Sequence, residues 1–466
     1  MNETTDQNVP LPEGMVTEKK KKKTPIILLI VIAVILVVGV VVVLVLQGKS
    51  NSDGENTTEG DGTVTYSGEL TYWGLWEPEG VMEPVILAYE TLHPEVTIHY
   101  VQKSFANYEN TLYGRLEEGA SSDILVPDIF RIGNSWLPKY QKYLAPLPST
   151  IMSATEYTEA FYPTVVSDFT GKDGNIYAIP WSIDGLGVFY NKQLLEEEGY
   201  DAPPTDWDSF VEAARELTKR ESSGQITQAG LAVGTSDNVL HSESILSYLF
   251  LLNNADLIDS TRTTVNLTST EAITALTVYS QFVDDEDGTW STRLKNDLDL
   301  FYEGKLAMML APSWRAFDII EAAPAVEFDI APLPQLPGNE EIYYSMYWGE
   351  AVSTYCSNKP LAWDFIKYLS SEDVQKELYS NASSIRSFGE PYSRMNLADQ
   401  MTGQPYVSAI AKMASNMKAW QMGDQDFVEK KLNQAITEVI EDGASSESAL
   451  KDAQEEINDQ LAQSNK

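Results

Sequence analysis

Five tryptophans, Trp76, Trp136, Trp181, Trp314 and Trp348, stand in stretches containing Gly, Pro or Ser rather than on apolar faces of helical or strand period. Glu77, Asn134, Asp184, Arg315 and Glu350 lie close to them in the chain. Tryptophan is ordinarily a core residue, and that is the plain alternative for each of the five. A flat indole nevertheless offers a large apolar face, such as the C–H face of a sugar ring would cover, with an N–H free at its rim. Carboxylate, amide and guanidinium groups beside it can fix the orientation of hydroxyls. Arg386, in SSIRS, is a further candidate of this kind, balanced against a structural role.

Other chemistry finds little support. His93, His99 and His241 form no ligand-spaced pair, and neither G-x-S-x-G nor H-E-x-x-H occurs. A glycosidase needs only two carboxylates, so their presence among 69 acidic residues decides nothing. The acidic run 284–288 lacks the alternate spacing and terminal Glu of a calcium loop and reads as a solvated turn. Gly48-Lys49-Ser50 resembles the end of a phosphate-binding loop, but position 43 is Val43 where that loop needs Gly. Cys356 is the only cysteine, so no internal disulfide forms; in the β-like run AVSTYCS it reads as a small buried residue. No catalytic residue, metal site or cofactor is expected. The net charge of −37 argues against nucleic acid and against lying on an anionic bilayer, and it disfavours polyanionic ligands.

The elements that must position the tryptophans follow from the chain in order. Residues 1–24 form a polar tail ending in Lys19 to Lys23, and 26–46 run 21 residues without a charge. At 1.5 Å per residue such a helix spans about 30 Å, the thickness of a bilayer core. The lysines in front of it place the tail in the cytoplasm and the remainder outside. No small-x-small site follows the run, so an uncleaved anchor over 25–46 is expected rather than a signal peptide. Residues 47–67 are rich in Gly, Ser, Thr, Asn, Asp and Glu and read as a flexible linker, with a root-mean-square reach of about 25 Å.

At 466 residues the chain is too long for one ordinary core, and two lobes are the expectation. Strands at 69–73, 96–101 and 127–132 alternate with amphipathic helices at 82–92 and 105–118, the pattern of a parallel α/β sheet. Ligands of such sheets sit outside the carboxyl ends of the strands, where Trp76 and Trp136 fall. Pro180 ends the apolar run 176–179, and a strand over 186–190 leads to Asn191, an N-cap for the helix 192–198. Thr205 with Asp208 gives a capping-box-like start to the next helix. Residues 306–310 form a buried strand with Trp314 just past its end; 328–331 read as an edge strand broken by prolines. A single amphipathic helix is expected over 360–379, with further helices from about 396.

The segment GNIYAIPWSIDGLGVFYNKQLLEEEGYDAPPTDW, from Gly174, resembles the G-x-x-Y-x-x-P, Y-N-K and P-P-T-W stretch of family 1 extracellular solute-binding proteins, which include sugar receptors of ABC importers. YWGLWE and PDIF before it, and GKLAM, FDIAPLP and GASSESAL after it, keep the family's order from about 68 to 461. The resemblance implies a two-lobed periplasmic-binding-protein-like α/β fold with an interlobe hinge, crossed near 180–182 and 347–349. Lobe 1 would comprise 68–179 and 350–395, and lobe 2 180–349 and 396–466. It further implies that aromatic, acidic and amide residues of both lobes sandwich the ligand. The sites are then Trp76, Glu77, Asn134, Trp136, Trp181, Asp184, Trp314, Arg315, Trp348 and Glu350, with Trp181 and Trp314 foremost. The implied function is a membrane-anchored monomer that captures an oligosaccharide or other sugar and passes it to ABC permease subunits. Many bacterial relatives carry a lipid-bearing cysteine after the signal; none stands there in this chain, so the transmembrane helix takes its place. A surface glycoside hydrolase or lyase, or a ligand-sensing receptor domain, stays open as an alternative.

Overall fold

The computed structural model describes residues 66–119, 125–283 and 286–464. The run 26–46, most of the linker and Asp284-Asp285 of the acidic turn lie outside the described residues. Among those described, no helix is long and apolar enough to cross a membrane.

Two sheets organise the chain as a two-domain α/β fold. The first holds β1 (Gly68–Leu75), β2 (Val96–Lys103), β3 (Ile129–Gly133) and a late strand, β10 (Trp348–Val352), in the order β10-β3-β1-β2. The second holds β4 (Leu186–Asn191), β5 (Lys219–Arg220), β6 (Ile226–Ala232), β7 (Leu306–Pro312) and β8 (Phe328–Ala331), in the order β5-β6-β7-β4-β8. A short parallel pair, β9 (Tyr343–Tyr344) with β11 (Met417–Lys418), lies apart from both.

Neither main sheet is purely parallel: β5 and β6 form a local antiparallel hairpin, and two further exceptions have a common cause. β1 runs parallel to β2 and β3, and β6 to β7, each through a helical connection. β10 opposes β3, with Trp348 against Gly133, and β4 opposes β7, with Leu186 against Pro312. Both are the strands that follow a crossing between domains. A parallel neighbour needs a crossover that returns the chain to the starting edge. A strand delivered straight from the other domain arrives instead at the carboxyl ends of its neighbours and must run the opposite way.

The two crossing segments are bonded to each other. Ile179 and Glu350 exchange backbone hydrogen bonds of 3.0 and 3.1 Å, and Met346 N–H donates to Asp184 O at 3.0 Å. Gly185 is required here, because a Cβ would sit 2.3 Å from Tyr344 O.

Local chemistry explains the element ends. Asn191 accepts the Leu194 N–H, as an N-cap should. In the next helix (Trp207–Glu216) the cap is Asp206, which accepts from Ser209 N at 3.0 Å, and not the expected Thr205. The helix expected over 360–379 is two, Lys359–Leu369 and Glu372–Ser383, interrupted at Ser370-Ser371, where Gln375 Nε2 donates to Ser370 O at 3.0 Å. Phe105 lies in a 3₁₀ turn (Phe105–Asn107) ahead of the helix Tyr108–Glu118 rather than within it, and is exposed. Cys356 is buried, but in a turn beyond β10 rather than in a strand. β8 is indeed an edge strand.

Candidate functional site

The carboxyl ends of β1, β2 and β3 and the start of β10 meet at one edge of the first sheet. Trp76 follows β1 with a positive φ of 60°, a conformation costly for a bulky residue, and is 45% exposed. Its ring stacks on Phe105, with centroids 5.7 Å apart and planes at 30°, and meets Trp348 edge-on at 5.2 Å. Trp348 in turn stands edge-on to Trp136 at 4.8 Å. Trp136 was expected at the rim but is only 2% exposed. It stacks on Tyr140 at 5.3 Å, and its Nε1–H is taken by Gln425 Oε1 at 2.9 Å. Trp76, Phe105 and Trp348 therefore form an aromatic platform, and Trp136 stands behind it.

Beneath the platform lies a buried charge network. Arg131 on β3 is paired in register with Glu350 on β10. Its Nη1 donates to Glu77 Oε2 at 3.0 Å, and its Nε lies 3.0 Å from Glu350 Oε1, close enough for a charge contact but poorly directed for a hydrogen bond. Glu350 Oε1 also accepts from Tyr72 OH at 3.1 Å and Trp181 Nε1 at 2.9 Å. The Arg131 guanidinium lies 5.0 Å from the Trp181 ring, so this buried tryptophan has its N–H engaged and a cation against its ring. Burial pushes the Glu77 carboxyl up to about 7 against the pull of Arg131. Glu350 Oε2 is buried without a hydrogen-bond partner. Arg131 escaped notice in the sequence, although a cation within the apolar run IFRIG signals a buried partner.

Asn134 faces the crossing segments. Its Nδ2 donates to Asp168 Oδ2 at 3.0 Å and its Oδ1 accepts from Tyr347 N at 3.3 Å. Tyr347 OH and Thr164 Oγ1 also donate to that Asp168 oxygen, at 2.8 and 3.1 Å.

The second sheet contributes from the ends of β6 and β7. Asp184, just before β4, accepts from Gly185 N at 2.8 Å and Ser313 N at 3.3 Å through Oδ1. Its Oδ2 and Ser313 Oγ are buried without hydrogen-bond partners. Burial, then the nearby Glu390 charge, push the Asp184 carboxyl up to about 8. Trp314 follows β7 and is 38% exposed. Arg315 lies with its guanidinium 4.3 Å from the Trp314 centroid, while its Nη1 donates to Asp318 Oδ2 at 2.9 Å. Arg386 pairs with Glu390 at 2.8 Å and rests 4.9 Å over Phe317, one turn beyond Trp314. Two other surface hollows, one at Pro138, Phe427 and Leu461 and one along Glu83, Leu87 and Tyr100, include none of the expected site residues.

Each sheet thus offers a half-exposed aromatic face and a buried carboxyl oxygen without a hydrogen-bond partner, which suits holding a ligand by stacking and hydrogen bonds.

Comparison with known proteins bears on the family and the fold. Residues 76–376 match the family model for bacterial extracellular solute-binding protein. A putative binding protein of Brucella abortus (strain 2308) is 23% identical over 303 residues, 64% of this chain and 70% of that one. The melibiose/raffinose/stachyose-binding protein MelE of Bacillus subtilis (strain 168) is 24% identical over 265 residues, 55% of this chain and 58% of its own. Among solved structures, the sugar-binding protein MalE from Xanthomonas citri superposes with a TM-score of 0.69 at 18% identity, covering 85% of this chain and 98% of that one.

Proposed function

The chain belongs to the bacterial extracellular solute-binding proteins, and on that premise we propose that it captures a carbohydrate, an oligosaccharide, between its two domains and delivers it to an ABC importer. One observation carries the reading: Trp76 with Phe105 and Trp348 on the first sheet, and Trp314 on the second, present aromatic faces at the carboxyl ends of parallel strands. Glu350 Oε2 and Asp184 Oδ2 are carboxyl oxygens without hydrogen-bond partners, suited to sugar hydroxyls, which both donate and accept. The sugars named for MelE and MalE support the same class of ligand.

In this reading Trp76, Trp314 and Trp348 stack on the sugar, Glu77, Asp184, Arg315 and Glu350 orient its hydroxyls, and Trp181 and Trp136 frame the floor and the platform. Asn134 ties the site to the hinge. The halves are 68–179 with 350–395 and 180–349 with 396–466, closing about the crossings. Residues 26–46 anchor a monomer in the membrane with the binding domains outside, where permease subunits receive the ligand. The relatives are binding proteins, which supports a role in holding a ligand rather than in bond cleavage.

The test is a thermal-shift screen with melibiose, raffinose, stachyose and maltotetraose, together with an assay for new reducing ends. A saturable rise in melting temperature without new reducing ends is expected. New reducing ends would point to a hydrolase, and no shift with any carbohydrate would remove the proposal.

A further inference from the structure

Trp314 is held by a group that sequence reading passed over. Arg315 is pinned at two points: Nη1 donates to Asp318 Oδ2 at 2.9 Å, and Nε donates to His241 Nε2 at 3.1 Å. Arginine only donates, so His241 Nε2 must carry a lone pair, and the imidazole is neutral with its proton on Nδ1. The same imidazole meets the Trp314 ring edge-on, with centroids 5.9 Å apart and planes at 83°. One side chain therefore touches both the tryptophan and the cation lying against it.

The histidine is itself firmly placed. It is 7% exposed and immediately precedes the helix Ser242–Leu252, in the loop that follows β6. Its neighbour Leu240 donates N–H to Asp297 Oδ2 at 3.1 Å. Earlier in the loop, Asn238 Nδ2 donates to Ser291 O and Leu294 O at 3.0 Å each, and its Oδ1 accepts from Trp290 Nε1 at 2.8 Å. An arginine left free would lose this geometry to side-chain entropy, since it carries several rotatable bonds.

We propose that His241 is a positioning residue for Trp314: by accepting the Nε–H of Arg315 it lays the guanidinium against one side of the indole and leaves the rest of the ring to the ligand. Burial and the neighbouring Arg315 charge hold His241 down to about 3, so the acceptor persists at neutral pH. The ionisable groups around this contact include Arg315, Asp318, Asp297 and Tyr302, the last two of which also feel the Arg315 charge. The consequence for binding rests on the carbohydrate reading of Trp314; the positioning itself does not.

Both parts are tested on the full chain labelled with 5-fluorotryptophan, with the Trp314 resonance assigned by Trp314→Phe. Without sugar, His241→Ala should move that ¹⁹F line toward the shift of a freely rotating tryptophan. His241→Gln, whose amide oxygen can accept the same N–H, should restore most of the wild-type line. Arg315→Lys, which keeps the charge but lacks the planar fork, should resemble His241→Ala. In titrations with stachyose and maltotetraose, His241→Ala should weaken binding about 2–10-fold, as expected when one or two side chains must be ordered anew. An unchanged Trp314 line in folded His241→Ala, or a His241→Gln line as disturbed as that of His241→Ala, overturns the proposal. Should His241→Ala not fold, the comparison of His241→Gln with Arg315→Lys decides it: a wild-type line in both is an overturning result. If the ¹⁹F results hold while neither sugar binds the wild type, positioning stands and the carbohydrate reading fails.

Discussion

Arg131 stands directly opposite Glu350 on two adjacent antiparallel strands, and the same guanidinium reaches Glu77 just beyond the end of β1. One buried cation thus joins three segments far apart in sequence, and it does so beneath the aromatic platform. Two buried carboxylates around one arginine are tolerable only together with the added donors Tyr72 and Trp181.

Removing the cation should therefore be severe. Arg131→Met leaves Glu77 and Glu350 buried beside each other without a counter-charge, and breaking such pairs costs about 3–5 kcal/mol. Chemical denaturation at neutral pH should show that loss. A stability within about 1 kcal/mol of wild type would mean the network is not what joins these strands.

Asp184 gives a pH signature. Its carboxyl is raised from the ordinary 3.8 to about 8 in the fold, so the folded state binds the proton more tightly than the unfolded chain does. The stability this contributes is fully present below about pH 4 and is lost as pH rises through about 8. Glu429, also raised to about 8, and Glu77 act in the same direction, so the informative quantity is the difference between variants. Asp184→Asn should gain stability relative to wild type steadily from pH 5 to pH 8.5. A constant difference across that range would show that Asp184 titrates normally.

How much of this was legible in the sequence differs from residue to residue. The strand over 306–310, the Asn191 cap and the exposed position of Trp314 follow from local pattern, because each is decided by neighbours a few residues away. Trp76 and Trp136 occupy similar Gly- and Ser-containing loops, yet one is half exposed and the other is covered by Trp348 and held by Gln425. Those partners lie more than 200 positions further on, and no local pattern reports them. Arg131 and His241 were missed for the same reason: each matters through contacts made across the fold. The break at Ser370-Ser371 was partly legible: Leu361, Phe365 and Leu369, and then Val374, Leu378 and Ala382, keep a four-residue step on each side but jump by five between Leu369 and Val374.

Motion should follow from the paired crossings. Two segments bonded to each other at Ile179–Glu350 and Asp184–Met346 can serve as a hinge, and ligand groups drawn from both sides would bring the domains together. Small-angle scattering at saturating sugar should give a smaller radius of gyration than the free protein. An unchanged radius would exclude hinge closure on binding.

Attachment is tested separately. In the proposed function the uncharged run 26–46 behind Lys19 to Lys23 is an anchor with its amino terminus inside the cell. The full chain should remain in the membrane fraction through high salt and carbonate. A mature protein starting near residue 48 would show that the run is removed.

The central claim is that an aromatic face of the second domain binds the sugar, and Trp314 tests it most directly. Truncating its half-exposed ring in Trp314→Ala removes roughly 80–100 Å² of apolar contact, about 2–2.5 kcal/mol of binding. That corresponds to a loss of about 30–70-fold in affinity. Calorimetric titration with the best sugar of the panel should show this loss while the melting temperature of the free protein stays near wild type. A collapsed melting temperature, with sugar affinity retained in the protein that remains folded, would contradict the account and return Trp314 to the core.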